Sequence, residues 1–116
     1  MTEQPGVFIR VTKFEVSIWP DDLREQMSSA LDAVTWAITV EERGPNRWAV
    51  VRGSACLGAD GKWEYEPRPS ERAEDWLTSH RFPLEEAQRL AAQHAADVTI
   101  NGRTAREILA RHQAQQ

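Results

Sequence analysis

At 116 residues, 41% of them hydrophobic and 28% charged, the chain has the size and composition of one globular domain and is too short for two. Its net charge of −4 argues against a phosphate backbone as the main partner, because Lys and Arg supply nucleic-acid affinity. A single cysteine excludes an intrachain disulfide and fits a reducing, cytoplasmic setting, and neither a secretory leader nor an apolar run of membrane-spanning length is visible.

Residues 7–19 alternate apolar with polar and are rich in β-branched and aromatic types, the pattern of a half-buried strand. The phase slips midway. Val7, Ile9 and Val11 share one parity, and Phe14, Val16 and Ile18 share the other. A continuous strand therefore needs a bulge near Thr12 and Lys13 to turn both sets inward; the alternative is a separate edge segment for the first three. Pro20, Asp21 and Asp22 suit a helix start, with the carboxylates at its positive end. Leu23, Met27, Ala30, Leu31 and Val34 recur at helical spacing, which predicts a helix over 21–31.

Residues 35–42 form a cleaner strand, with Trp36, Ile38 and Val40 on one face. Gly44-Pro45-Asn46 turns the chain into a return strand at 47–52, and Asp60-Gly61 suits a hairpin turn between 55–57 and 62–66. Pro67 and Pro69 stop the sheet, since proline offers no ladder donor. Ser70 is placed to cap a short helix in which Ala73, Trp76, Leu77 and His80 share a face. Residues 84–96 carry the strongest helical pattern. Leu84, Ala87, Leu90, Ala91 and Ala95 point inward, and Glu85 precedes Arg89 by the four residues that favour an ion pair. Residues 98–100 suit a short additional edge strand, and Asn101-Gly102 suits a turn. Thr104 and Glu107 have capping-box spacing before a last helix that buries Ala105, Ile108 and Leu109. The ends, 1–6 and 113–116, have little to bury and are expected to fray.

Residues 44–82 gather Trp48, Trp63 and Trp76, the one tyrosine Tyr65 and the one cysteine Cys56. Trp48-Ala49-Val50, Cys56-Leu57, Gly61-Lys62-Trp63, Glu66-Pro67-Arg68-Pro69-Ser70, Trp76-Leu77 and Arg81-Phe82 follow one another before an alanine-rich helix. In that order, over residues 48–92, the chain resembles a group of small, functionally uncharacterised proteins of actinobacteria and their phages. The resemblance implies a bacterial or phage cytoplasmic setting and brings no residue role with it.

Cys56, His80, His94 and His112 lack paired zinc spacing, so neither a metal nor a cofactor is expected. Cys56 and His80 would make a thiolate pair if the fold joined them, yet a cysteine between Ala55 and Leu57 reads as a small buried hydrophobe. Glu64 and Glu66 share the strand face opposite Trp63 and Tyr65. Without burial to raise one of their pKa values, they read as a solvated face rather than a catalytic pair. Arginines interleave with the aromatics, a combination enriched at protein interfaces, although arginine stems also commonly cover core tryptophans.

The expected fold is α+β: a single domain with a four-stranded antiparallel meander, one face covered by two late helices, and the indole rings gathered on that face. The expected function is a non-catalytic binding or accessory protein acting by protein–protein contact through Arg52, Trp63, Tyr65, Arg68, Arg72 and Trp76. A homodimer through the alanine-rich helix or an edge strand is one form of it. The alternatives are a nucleic-acid module using Arg103, Arg106 and Arg111, disfavoured by the net charge, and a small enzyme using Cys56 and His80.

Overall fold

The computed structural model describes residues 4–26 and 37–115. Strands consecutive in sequence tend to pair with one another, and five of them do so in chain order, the last four joined by short turns. They are β1 (Lys13–Val16), β2 (Ile38–Gly44), β3 (Arg47–Arg52), β4 (Ala55–Leu57) and β5 (Trp63–Tyr65), in one antiparallel sheet. Asn46 adopts φ 55° in the β2–β3 turn, a conformation that asparagine tolerates better than most residues. Gly61 adopts φ 83° in the β4–β5 turn, as the Asp-Gly step leads one to expect.

Among the described residues the helices are α1 (Asp21–Gln26), α2 (Glu74–His80), α3 (Leu84–His94) and α4 (Ala105–Ala114). None is long and apolar enough to cross a membrane. The main core lies on one face of the sheet, where Ile38, Val40, Trp48, Val50 and Leu57 are buried beneath Ala87 and Ala91 of α3 and Ala105 of α4. Alanines at these positions let the helix backbones approach the sheet closely. Burying each of the large aliphatic side chains contributes about 1.5–3 kcal/mol. This is the α+β arrangement expected, with the two late helices on one face.

Several local features differ from the sequence reading. The leading strand has no bulge. β1 begins at Lys13 and keeps Phe14 and Val16 half-buried against the core, while Val7, Ile9 and Val11 lie outside it on exposed backbone. Pairing with β2 holds one phase, and a single phase can turn only one of the two apolar sets inward. The segment after residue 98 does not extend the sheet: β6 (Thr99–Ile100) and β7 (Arg103–Thr104) form a separate ribbon around Asn101-Gly102. Ser70 caps nothing, because it sits within a 3-10 turn (Pro69–Glu71) and Ala73 occupies the position before α2. Arg89 pairs with Glu86, one residue nearer than Glu85. Thr104 does cap α4, its hydroxyl oxygen accepting the Glu107 amide at 3.2 Å. Residues 27–36, which include Trp36 and most of the apolar positions of the helix expected over 21–31, lie outside the described residues.

The indole rings do not share one side. Trp19 and Trp48 are buried in the main core and Trp63 packs against it, whereas Trp76 packs on Ala49, Val51 and Cys56 across the sheet. α2 thus gives the sheet a second cover. The apolar run Trp48-Ala49-Val50-Val51 requires one, since residues of both parities in β3 are buried.

Candidate functional site

The second face is organised around Glu66. Its amide donates to Ser54 O at 3.0 Å, which carries the β5 direction one residue further. Pro67 and Pro69 then force the chain off the sheet, and the 3-10 turn brings Arg72 back. Arg72 donates from Nε to Pro67 O at 2.8 Å and from Nη2 to Glu66 Oε1 at 2.8 Å. Arg43, from the end of β2, donates to both carboxylate oxygens, at 3.0 and 3.4 Å, and also to Glu41 at 3.3 Å. Arg81, leaving α2, reaches Glu66 Oε1 at 3.3 Å and its own neighbour His80 O at 2.9 Å. Its guanidinium lies 5.0 Å from the Trp76 ring centroid, a cation–π distance.

One carboxylate therefore holds three guanidinium groups, and its side chain is 11% exposed. Burial opposes the charge of Glu66, but Arg43, then Arg81 and Arg72, hold its carboxyl below the ordinary value. Burial also opposes the charge of Arg43, and the bonds to Glu66 and Glu41 outweigh it and raise that group. For Arg81 burial wins and draws its guanidinium down. The expectation of a solvated Glu66 fails here because Arg43, Arg72 and Arg81 close around it. Glu64 does remain exposed.

Cys56 is fully buried beside this cluster, its thiol 3.9 Å from His80 O and 3.7 Å from Arg81 Nη1. Burial, and after it the charge of Glu66, pushes the thiol up from its ordinary value, the reverse of what a nucleophilic thiolate needs. The His80 ring stacks on Trp76, 4.2 Å between centroids and 5° between planes. Its Nδ1 lies 2.8 Å from Trp76 O, and its Nε2 faces Glu64 Oε2 at 3.2 Å. His80 is thus fixed as a packing group of the second cover.

The six residues expected to form one surface are divided. Arg52 and Trp63 line a pocket of about 300 Å³ on the side that carries α3, with His94, Asp97, Val98 and Thr99. There Arg52 Nη2 donates to Thr99 O at 2.8 Å, and the Trp63 and His94 rings meet edge to face at 6.0 Å. Trp76 belongs to the second cover. Tyr65, Arg68 and Arg72 do come together, with Arg43 and Glu66, around an open recess of about 270 Å³. Tyr65 is 70% exposed and Arg68 is exposed at the rim. Arg103, Arg106 and Arg111 are all exposed near α4, and Arg106 pairs with Asp97.

Glu66 and Arg43 were missed as members of this group. The partners of Glu66 stand 23, 6 and 15 positions away, separations that no local motif encodes. The one sequence signal is the doubly apolar β3, which calls for a second cover and hence for something to close it. Chemically the cluster offers no poised acid, base or nucleophile. It presents rigid guanidinium groups to an open recess, which suits recognition of an anionic group. Comparison with protein-family models, curated proteins and solved structures finds no match for this chain.

Proposed function

We propose that the chain is a non-catalytic protein-binding module whose contact face is the recess beside Glu66, and that the partner offers it an acidic segment. One observation carries this reading: Arg43, Arg68 and Arg72 line the recess against the single carboxylate of Glu66, in a chain whose net charge is −4. A local excess of positive charge on an acidic protein steers acidic partners to that place and repels the rest of an extended polyanion. Arg72 is already fixed by Pro67 O and Glu66, so it loses little freedom on binding. Tyr65 supplies an exposed aromatic anchor at the rim.

The test is fluorescence anisotropy with a labelled glutamate-rich peptide, a lysine-rich peptide and a single-stranded oligonucleotide of equal length. The acidic peptide is expected to bind, with salt-sensitive affinity that falls several-fold in Arg68→Ala and in Tyr65→Ala while circular dichroism stays unchanged. Absence of binding, or binding indifferent to both substitutions, overturns the reading. Tighter binding of the oligonucleotide overturns it in favour of a nucleic-acid module.

A further inference from the structure

Residues 4–12 enter β1 as an extended arm that has no strand partner among the described residues. The arm is last held to the sheet by the Glu42 amide, which donates to Thr12 O at 2.9 Å, and by the ion pair of Arg10 with Glu42. Lys13 stands opposite Glu41, and β2 ends at Gly44, so the residues before Arg10 reach past the β2–β3 hairpin. At strand rise, residues 4–9 are about 20 Å of chain.

Along this arm Val7, Phe8, Ile9 and Val11 are 87, 89, 93 and 62% exposed. Scattered apolar residues on a surface are ordinary. Four within five consecutive positions, on extended backbone that runs into an edge strand, form a contact surface. Among the described residues β1 is an edge strand: its one neighbour there is β2, and none of them pairs with its outer row of backbone donors and acceptors. No proline interrupts residues 6–19, and the ladder could continue outward without a gap.

We propose that residues 7–11 pair antiparallel with the same residues of a second copy, about a two-fold axis at Ile9, and so join two sheets through their β1 edges. The sequence is self-complementary under that operation. Val7 faces the partner's Val11, Ile9 faces the partner's Ile9, and Phe8 faces the partner's Arg10. Val7, Ile9 and Val11 of both copies then make one continuous apolar stripe on one face. On the other face each arginine meets an aromatic ring rather than its own like charge. The register ends where Pro5, which has no donor, comes opposite the partner's Lys13.

Geometry on the inner side is compatible. Thr12 uses its carbonyl toward β2, and the partner arm occupies the opposite edge. The rival receptor within a second copy is the outer edge of β5, which no described residue pairs with. It has three residues and Pro67, which has no donor, follows two positions later, so it is too short for a five-residue strand. Pairing an arm with β5 would also be head-to-tail and open-ended, whereas the arm-to-arm contact closes after two copies. The inference uses none of the recess residues and stands apart from the proposed acidic partner.

The experiment is sedimentation velocity on the full chain over a wide concentration range, with disulfide trapping. The wild type is expected to dimerise reversibly. Ile9→Arg, which sets two guanidinium groups face to face, is expected to be monomeric with unchanged circular dichroism. Ile9→Cys is expected to cross-link into a dimer under mild oxidation, because opposed strand residues lie within disulfide reach, and Phe8→Cys is not. Cys56 is fully buried, so the introduced thiol is the one that reacts. A chain monomeric at every concentration overturns the proposal, even if the arm captures lipid vesicles or another protein. A dimer that survives Ile9→Arg, or equal cross-linking at positions 8 and 9, also overturns it.

Discussion

On the side of the sheet that carries α3 and α4, Ile38, Val40, Val50 and Leu57 are sealed by alanine and aliphatic side chains. On the side that carries α2, Ala49, Val51 and Cys56 are buried, and closure comes from Glu66 held by Arg43, Arg72 and Arg81. The first face draws its stability from removing apolar surface from water, a term nearly independent of pH and little affected by moderate salt. The second depends on one charge. A buried ion pair adds little net stability relative to an apolar replacement, yet loss of one partner leaves the others desolvated and unpaired. Glu66 therefore matters more for what its removal exposes than for what its presence contributes.

The largest expected effect is on the apolar face. Trp48→Ala should lower unfolding stability by about 3–5 kcal/mol, because it deletes a buried ring against Phe14 and opens a cavity. Chemical denaturation measures it, and a smaller loss than that of Glu66→Gln would reverse the ranking of the two faces. Glu66→Gln keeps the shape and removes the charge. A loss of about 2 kcal/mol is expected, as charge-assisted bonds to three arginines give way to weaker ones.

Acid sharpens the same contrast. The Glu66 carboxyl is held below its unfolded value, so its contribution is fully present above the ordinary carboxylate range. As pH falls, the unfolded chain takes up the proton first. The contribution then declines and is lost once pH drops through the folded value. Denaturation midpoints from neutral pH to about pH 3 should fall more steeply for the wild type than for Glu66→Gln, the difference being this one group. The smallest effect belongs to Thr104→Ala, which removes the cap of α4 on the apolar side. It should cost about 1 kcal/mol, with no pH dependence in the acid range.

How much of this was legible depends on whether the cause is local. The meander follows from alternation and turn residues such as Asn46 and Gly61. α3 follows from Leu84, Ala87, Leu90 and Ala91, and the cap of α4 from Thr104. Each rests on a few neighbouring side chains. The Glu66 cluster does not, since four separate segments supply it. Glu64 and Glu66 have the same parity and residue type, and only the course of the chain after Pro67 makes one exposed and the other clamped. For the same reason Tyr65, Arg68 and Arg72 meet at one recess, whereas Arg52, Trp63 and Trp76 go elsewhere. The phase slip at Thr12 and Lys13 was visible, but alternation alone did not show that Val7, Ile9 and Val11 would stay outside the core.

The most direct measurement is native-state hydrogen exchange on Glu66→Gln, compared residue by residue with the wild type. If the second face is closed by that charge, amides of α2 such as Leu77, bonded to Ala73 O at 3.0 Å, should lose protection far more than those of α3. Equal loss in α2 and α3, or no loss in α2, would contradict the account.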